Sequence, residues 1–445
     1  MIRQLRDGLI LRSIAEGVQS DRDNLGHFYK DVFGAEGDED TEGMPYWVDE
    51  LLSDAHPTMS PDDFWMVVDP TKDDQIVSAV LMIPQTWHYE DVPIGVGRIE
   101  LVATDKDYRQ RGLIRELMHA AHERSESLGH DLQSITGIPH YYRRFGYAMT
   151  VDLGSGSQLA FDDIPKLKDD EAPKFTLRTA VDSDIENLIR WTAAQGEKYL
   201  LWLPYTAEMW RFELNHRHPK SSLVRTTYII TDANDRAVGY VVLMVSPYMP
   251  QVLCPAYVVD DTTSHLETCV DVFRGIRQIA ETFYAENTPD MPKTVRFDSG
   301  VDETVHRIVD TFTFSKVRPT TYAWYLRVPN LPGFLKTIAP VLERRLKGSG
   351  ANNYTGDFSI HLYDTTALIL KFETGKLVDV TRERMLPEWN ANLGFPYHSF
   401  LSILFGHRSL EELRLAYPEI GVNRTGRVLL DALFPKKRSW IMAYA

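Results

Sequence analysis

The stretch from Ile99 to Tyr147 constrains this chain more than any other. It reads as a short apolar strand (Ile99 to Ala103), a basic turn, a helix, a second strand and an aromatic turn. Leu113, Ile114, Leu117, Met118, Ala121 and Leu128 recur at helical spacing, and Gly129 is placed to end the helix. Between strand and helix runs Tyr108-Arg109-Gln110-Arg111-Gly112-Leu113-Ile114. Gly112 lets a ligand approach the backbone, and the first free N–H groups of the helix form an anion site. Arg109 and Arg111 add charge-assisted donors, so a pyrophosphate suits the turn. The turn is neither the three-glycine dinucleotide fingerprint nor a P-loop, which requires Gly-Lys-Ser/Thr.

This turn resembles the coenzyme A signature of the GNAT N-acetyltransferase superfamily, Arg/Gln-x-x-Gly-x-Gly/Ala after the fourth strand. The lead-in Val102-Ala103-Thr104 is similar too, and the departure is Ile114 at the last small position. Downstream, Leu132 to Ile138 leads into Tyr142-Arg143-Arg144-Phe145-Gly146-Tyr147. That block resembles the GNAT element where a splayed fifth strand meets the next helix. The resemblance implies acetyl-CoA as co-substrate and no metal. Backbone groups of Val102, Ala103 and Thr104 would hold the pantetheine, and Gln110, Arg111, Gly112, Leu113, Ile114 and Arg115, beside Arg109, the pyrophosphate. Gly137 and Ile138 would complete the donor site. Tyr142 is the implied acid for the departing thiolate; Tyr141 is its neighbour in register, and packing is the plain role of both.

At 445 residues the chain is expected to form two or three domains. Its formal charge of −15 argues against nucleic acid as the main partner and suits a cationic substrate or a solvated surface. Cys254 and Cys269 offer neither a disulfide framework nor metal spacing. The opening residues lack an apolar signal core and no run reaches membrane-spanning length, so a cytoplasmic protein without membrane contact is expected. Leu9 to Ser13, Phe64 to Val68, Gln75 to Ile83 and Val96 to Ala103 read as strands, and the acidic run Glu36 to Glu42 as a solvated loop. Trp65, Trp87, His88 and Tyr89 are candidates for an acceptor pocket, with core packing as the alternative.

After a polar link from Phe161 to Lys174 the opening pattern repeats. Phe175 to Thr179 echoes Leu9 to Ser13, and Asp184 to Leu188 echoes Asp21 to Leu25, each with an acid at a helix start. This second unit resembles another GNAT fold. Its strand-to-helix turn, Asp260 to His265, is acidic and lacks Arg-x-x-Gly, so it should repel a pyrophosphate. From Leu331 a helix (Phe334 to Leu346), a hairpin (Phe358 to Tyr363, Ala367 to Phe372) and later helices resemble the sterol-carrier-protein-like fold. The expected class is therefore α/β (α+β): an active GNAT domain over 1–160, a degenerate one over 174–328 and a sterol-carrier-like domain over 329–445.

That order resembles the family of the mycobacterial enhanced intracellular survival protein. The resemblance implies transfer of acetyl to a polyamine, aminoglycoside-like or Lys amine, a homo-oligomer (trimer or hexamer), and a terminal carboxylate, here Ala445, as general base. Glu100, on the fourth strand, is the rival base. A ligand-binding protein on this scaffold, or a tandem GNAT transferase with another acyl donor, are the alternatives.

Overall fold

The computed structural model describes residues 2–37, 41–138, 140–153, 156–168, 170–247, 249, 251–287, 291–298, 303–313, 322–385 and 390–444. Ala445, and residues 38–40 of the acidic run, lie outside the described residues. The fold is mixed α/β and built on three sheets. In the first, strands run in the order Arg3–Gln4, Ile10–Ser13, Phe64–Asp69, Gln75–Tyr89, Val92–Thr104, Leu132–Ile135, Tyr322–Arg327 and Ala148–Leu153. Alternation along each strand feeds two cores. Leu11, Val67 and Met82 pack with Leu117 and Met118 of helix Leu113–Ser127. Met66, Val68 and Leu81 pack on the other face with Leu25 and Tyr29 of helix Gln19–Glu36 and Val48 of helix Met44–Leu52.

The second sheet runs Ser157–Ala160, Thr294–Phe297, Val252–Val259, Ala237–Met244, Thr226–Asp232 and Phe175–Thr179. The sequence repeat has a physical basis. Arg12 on the first unit's strand grips Asp21 through two hydrogen bonds, at 2.9 and 2.7 Å, while Asp21 accepts the N–H of Val18. Arg178 grips Asp184, at 2.7 Å twice, and Asp184 accepts the N–H of Val181. In both units a strand arginine is tied to the carboxylate that caps the next helix.

Two strands cross the expected domain limits. Ser157–Ala160, inside the 1–160 range expected for the first domain, pairs with Thr294–Phe297 of the second sheet. Tyr322–Arg327, inside the 174–328 range expected for the second domain, inserts between Leu132–Ile135 and Ala148–Leu153 of the first sheet. The units thus exchange their last strands.

The third sheet runs Lys376–Arg384, Thr366–Glu373, Gly356–His361, Leu393–Gly394 and Gly421–Val422, packed by helices including Tyr397–Leu404 and Arg424–Leu433. The single helix expected from Phe334 to Leu346 is two, Leu331–Thr337 and Ala339–Lys347. Pro340 at the start of the second lacks the N–H that would continue the ladder. One apolar core joins this domain to the first hairpin and to the second unit, through Trp87, Leu200, Trp324, Phe334 and Phe405. Among the described residues no helix is long and apolar enough to cross a membrane.

Candidate active site

The site is made by two parallel strands that part. Val92–Thr104 and Leu132–Ile135 pair from Val96↔Leu132 to Ile99↔Ile135, where their ladder ends. On its other edge Val92–Thr104 slips register between Ala79 and Leu81, and Leu101 takes a left-handed φ of 51°. This bulge leaves Leu101 and Val102 without register partners, while Ala103 and Thr104 still pair with Ala79 and Ser78. Where the strands part lies a cleft of about 660 Å³, within the range of small-molecule sites.

Val102, Ala103, Thr104, Arg109, Gln110, Gly112, Leu113, Ile114, Arg115 and Ile138 all line that cleft, together with Tyr142. Arg111 and Gly137 do not. The Arg111 guanidinium stacks over the Tyr108 ring at 4.7 Å and donates to the Asp107 carbonyl at 3.2 Å. Gly112 (φ 81°) precedes helix Leu113–Ser127, and no side chain caps the helix start. A β-carbon at Gly112 would meet no protein atom within 4 Å, so the space beside these N–H groups is open. Those features fit a pyrophosphate at the helix N-terminus. Glu36, expected to begin a solvated loop, instead ends helix Gln19–Glu36, lines the cleft and ion-pairs with Arg109. Gly112→Glu should weaken acetyl-CoA binding at least about tenfold by setting a carboxylate there, roughly 1.4 kcal/mol; unchanged affinity in calorimetry would place the donor elsewhere.

Gly137 has a different use from direct ligand contact. A β-carbon there would sit 1.9 Å from the Tyr142 ring, so only glycine lets that ring lie flat on the strand end. Tyr142 is buried against Tyr147, Tyr325 and Phe145 at centroid distances of 6.4, 6.3 and 6.5 Å. Tyr325 comes from the exchanged strand, and its hydroxyl accepts the N–H of His140 at 2.7 Å. Burial, then Tyr141 and Glu100, push the Tyr142 hydroxyl well above its ordinary pKa and keep it protonated. Gly137→Ala should cut turnover at least about tenfold by displacing that hydroxyl by an ångström or more. A steady-state rate equal to wild type would show that the ring position is not needed.

Just before the strands part, Arg98 of strand Val92–Thr104 ion-pairs with Glu100. The other Arg98 nitrogen donates to the Tyr444 carbonyl at 2.8 Å, and Gln85 Nε2 donates to the same oxygen at 2.6 Å. The described end of the chain is therefore docked at this strand: Trp440, Met442 and Tyr444 are buried. Arg98 and Gln85 were missed, although a polar residue inside an apolar strand is the kind of signal that marks them. Trp87, His88 and Tyr89, candidates for an acceptor pocket, do not line the cleft. Strand Gln75–Tyr89 runs six residues beyond the expected Ile83 and carries them to the far end of its hairpin. There Tyr89 donates to the Leu404 carbonyl and His88 packs on Trp202. Trp65 is core. Among the described residues no group of three or more His, Cys, Asp or Glu is gathered as a metal site.

Splayed parallel strands, a helix N-terminus facing the gap and a buried tyrosine beside it define an acyltransferase of the GNAT fold. Residues 14–150 match the family model of the acetyltransferase (GNAT) domain, so the chain carries that domain. No curated protein matches the sequence. Among solved structures the chain is similar to a GCN5-related N-acetyltransferase from Anabaena variabilis (13% identity, TM-score 0.67, 98% of this chain and 100% of that one). It is similar also to a GCN5-related N-acetyltransferase from Kribbella flavida (16%, 0.61, 98% of each). A third is Eis1 from Mycobacterium abscessus (11%, 0.58, 98% and 99%). At such identities the likeness is one of fold.

Proposed function

We propose that the protein is an acetyl-CoA-dependent N-acetyltransferase that passes acetyl directly to an amine. The observation that carries this reading is the cleft where the strands part, with the open helix N-terminus at one side and Tyr142 at the other. Acetyl-CoA supplies the acyl group as a thioester. The helix N–H groups and the cleft arginines bind and orient its phosphates, and the bulged backbone from Val102 to Thr104 aligns the chain that carries the thioester. The amine nitrogen bonds to the carbonyl carbon, and the carbon–sulfur bond breaks. Tyr142 donates its hydroxyl proton to sulfur. Its raised pKa is no obstacle, because the same low-polarity surroundings also raise the proton affinity of the departing thiolate.

The Ala445 carboxylate takes the proton from the amine. Docking of Trp440 to Tyr444 along the splayed strand supports it. Glu100 is the second candidate, because its carboxylate is already occupied by an ion pair with Arg98. The charge of −15 favours a cationic acceptor, a polyamine, an aminoglycoside-like amine or a Lys side chain. The third domain is read as sterol-carrier-like, and the assembly as a cytoplasmic trimer or hexamer, which sedimentation would test. A thiol-release assay over an amine panel tests the activity. Turnover with polyamines or aminoglycosides supports the reading; acetyl-CoA that does not bind overturns it, and binding without release for any amine, or release with another acyl-CoA alone, removes the acetyl-to-amine assignment.

A further inference from the structure

The second unit lacks the donor-site turn, yet its side chains reach the described end of the chain. Three successive carbonyls there each accept a side-chain hydrogen bond. The Tyr205 hydroxyl lies 3.2 and 3.3 Å from the carbonyls of Met442 and Ala443. Arg225 Nη1 donates to Ala443 at 2.5 Å. Gln85 and Arg98 close on Tyr444, as described above. Tyr205 and Arg225 belong to the second unit, Gln85 and Arg98 to the first.

Three of the four donors are themselves held. Trp87 donates its indole N–H to Gln85 Oε1 at 2.8 Å, which turns the amide nitrogen towards Tyr444. The Arg98 guanidinium lies over Trp324 at 5.1 Å, and Trp324 comes from the exchanged strand. Glu213 grips Arg225 through both carboxylate oxygens, at 2.8 and 2.6 Å, and is gripped in turn by Arg217. Arg217 reaches back to Glu50 of the first unit at 3.0 Å. The Tyr444 ring packs between His56, Tyr205 and Phe212. A buried carbonyl needs a partner, but one peptide N–H or a water would meet that need. Five side-chain contacts drawn from two units and supported by a second layer instead fix position.

We infer that Gln85, Arg98, Tyr205 and Arg225 form a clamp that holds Met442, Ala443 and Tyr444 against strand Val92–Thr104 on the paired stretch just before the splay, so that the second unit serves as a positioning element of the first unit's active site. This rests on the reading that Ala445 carries the base. The clamp residues are positioning residues: they touch the tail and leave the acyl donor to the cleft beside them.

The test uses the full-length enzyme, acetyl-CoA, and the amine with the highest wild-type turnover. Tyr205→Phe removes one oxygen and nothing else; Gln85→Glu keeps the acceptor for the Trp87 indole and removes the amide donor to Tyr444. Each is made alone, together, and on a chain bearing a Gly/Ser extension after Ala445. The double variant should lose kcat by about tenfold or more, with acetyl-CoA affinity and melting temperature close to wild type. On the extended chain the same substitutions should cost less than about twofold further, because both changes remove one device. If the extension lowers kcat but the clamp substitutions are neutral, or multiply with it, the clamp is overturned while Ala445 stands as base. If the extension is harmless, the base reading fails and takes the clamp with it. Loss of kcat that comes only with lost acetyl-CoA binding or a lowered melting temperature would make these residues structural, and overturns the clamp as well.

Discussion

Tyr142→Phe is expected to lower kcat by roughly 10²-fold or more while acetyl-CoA affinity stays within about twofold of wild type. The substitution keeps the ring on Gly137 and its edge contacts with Tyr147 and Tyr325, so packing hardly changes. What disappears is the one hydroxyl of the aromatic turn that is both buried and at the cleft. Because that group acts only as sulfur departs, kcat and kcat/KM should fall together. The sign of its shift adds a second check. Burial raises the hydroxyl pKa, so the acid form persists through neutral and mildly alkaline pH, and no alkaline loss of wild-type rate should come from Tyr142 below about pH 10. Single-turnover kinetics with bound acetyl-CoA measure the step directly. A variant with full kcat and weakened donor binding would make Tyr142 a wall of the cleft and remove it as the acid.

The lining of the cleft was legible because its signals are local. Arg-x-x-Gly before a helix and Tyr-x-x-Phe-Gly-Tyr after a strand span a few residues each, and both carry backbone requirements that few residues meet. The repeat was legible for the same reason: Arg12 with Asp21 and Arg178 with Asp184 lie within ten residues of each other. The strand exchange was not. Nothing in the sequence of Tyr322–Arg327 says which sheet receives it. Pro84 and Pro93 made Gln75–Tyr89 and Val92–Thr104 read shorter than they are, and so misplaced Trp87 to Tyr89. The tail contacts lie furthest from sequence: Gln85 and Arg98 meet Tyr444 across 359 and 346 residues, a separation at which no periodicity survives. Their polar side chains inside apolar strands were the available clue, and burial beside Trp87 and Trp324 gives that clue its meaning.

Moving the carboxylate of Ala445 should cost turnover about 10²-fold or more, the scale of general-base catalysis, whichever way the move is made. A Gly/Ser extension replaces the carboxylate by a peptide, and amidation removes its charge; both leave Trp440, Met442 and Tyr444 packed as they are. Deleting Ala445 is the more instructive change. It transfers the carboxylate to Tyr444, up to about 3.5 Å back along the chain. The carbonyl oxygen of Tyr444 already accepts from Gln85 at 2.6 Å and from the Arg98 guanidinium at 2.8 Å. The displaced carboxylate would therefore fall onto a cation and a fixed amide, which hold it ionised and make it a poorer proton acceptor as well as a distant one. Tyr444 stays in the truncated chain, so its fold and its acetyl-CoA affinity should survive. Glu100→Gln supplies the opposing arm. Arg98 engages the Glu100 carboxylate, and the amide that replaces it keeps the shape, so turnover should fall far less than in the Ala445 variants. Steady-state rates for the four proteins decide between the two bases: if Glu100→Gln abolishes transfer while the extended chain keeps its rate, Glu100 takes the proton and the docked tail is a wall of the site.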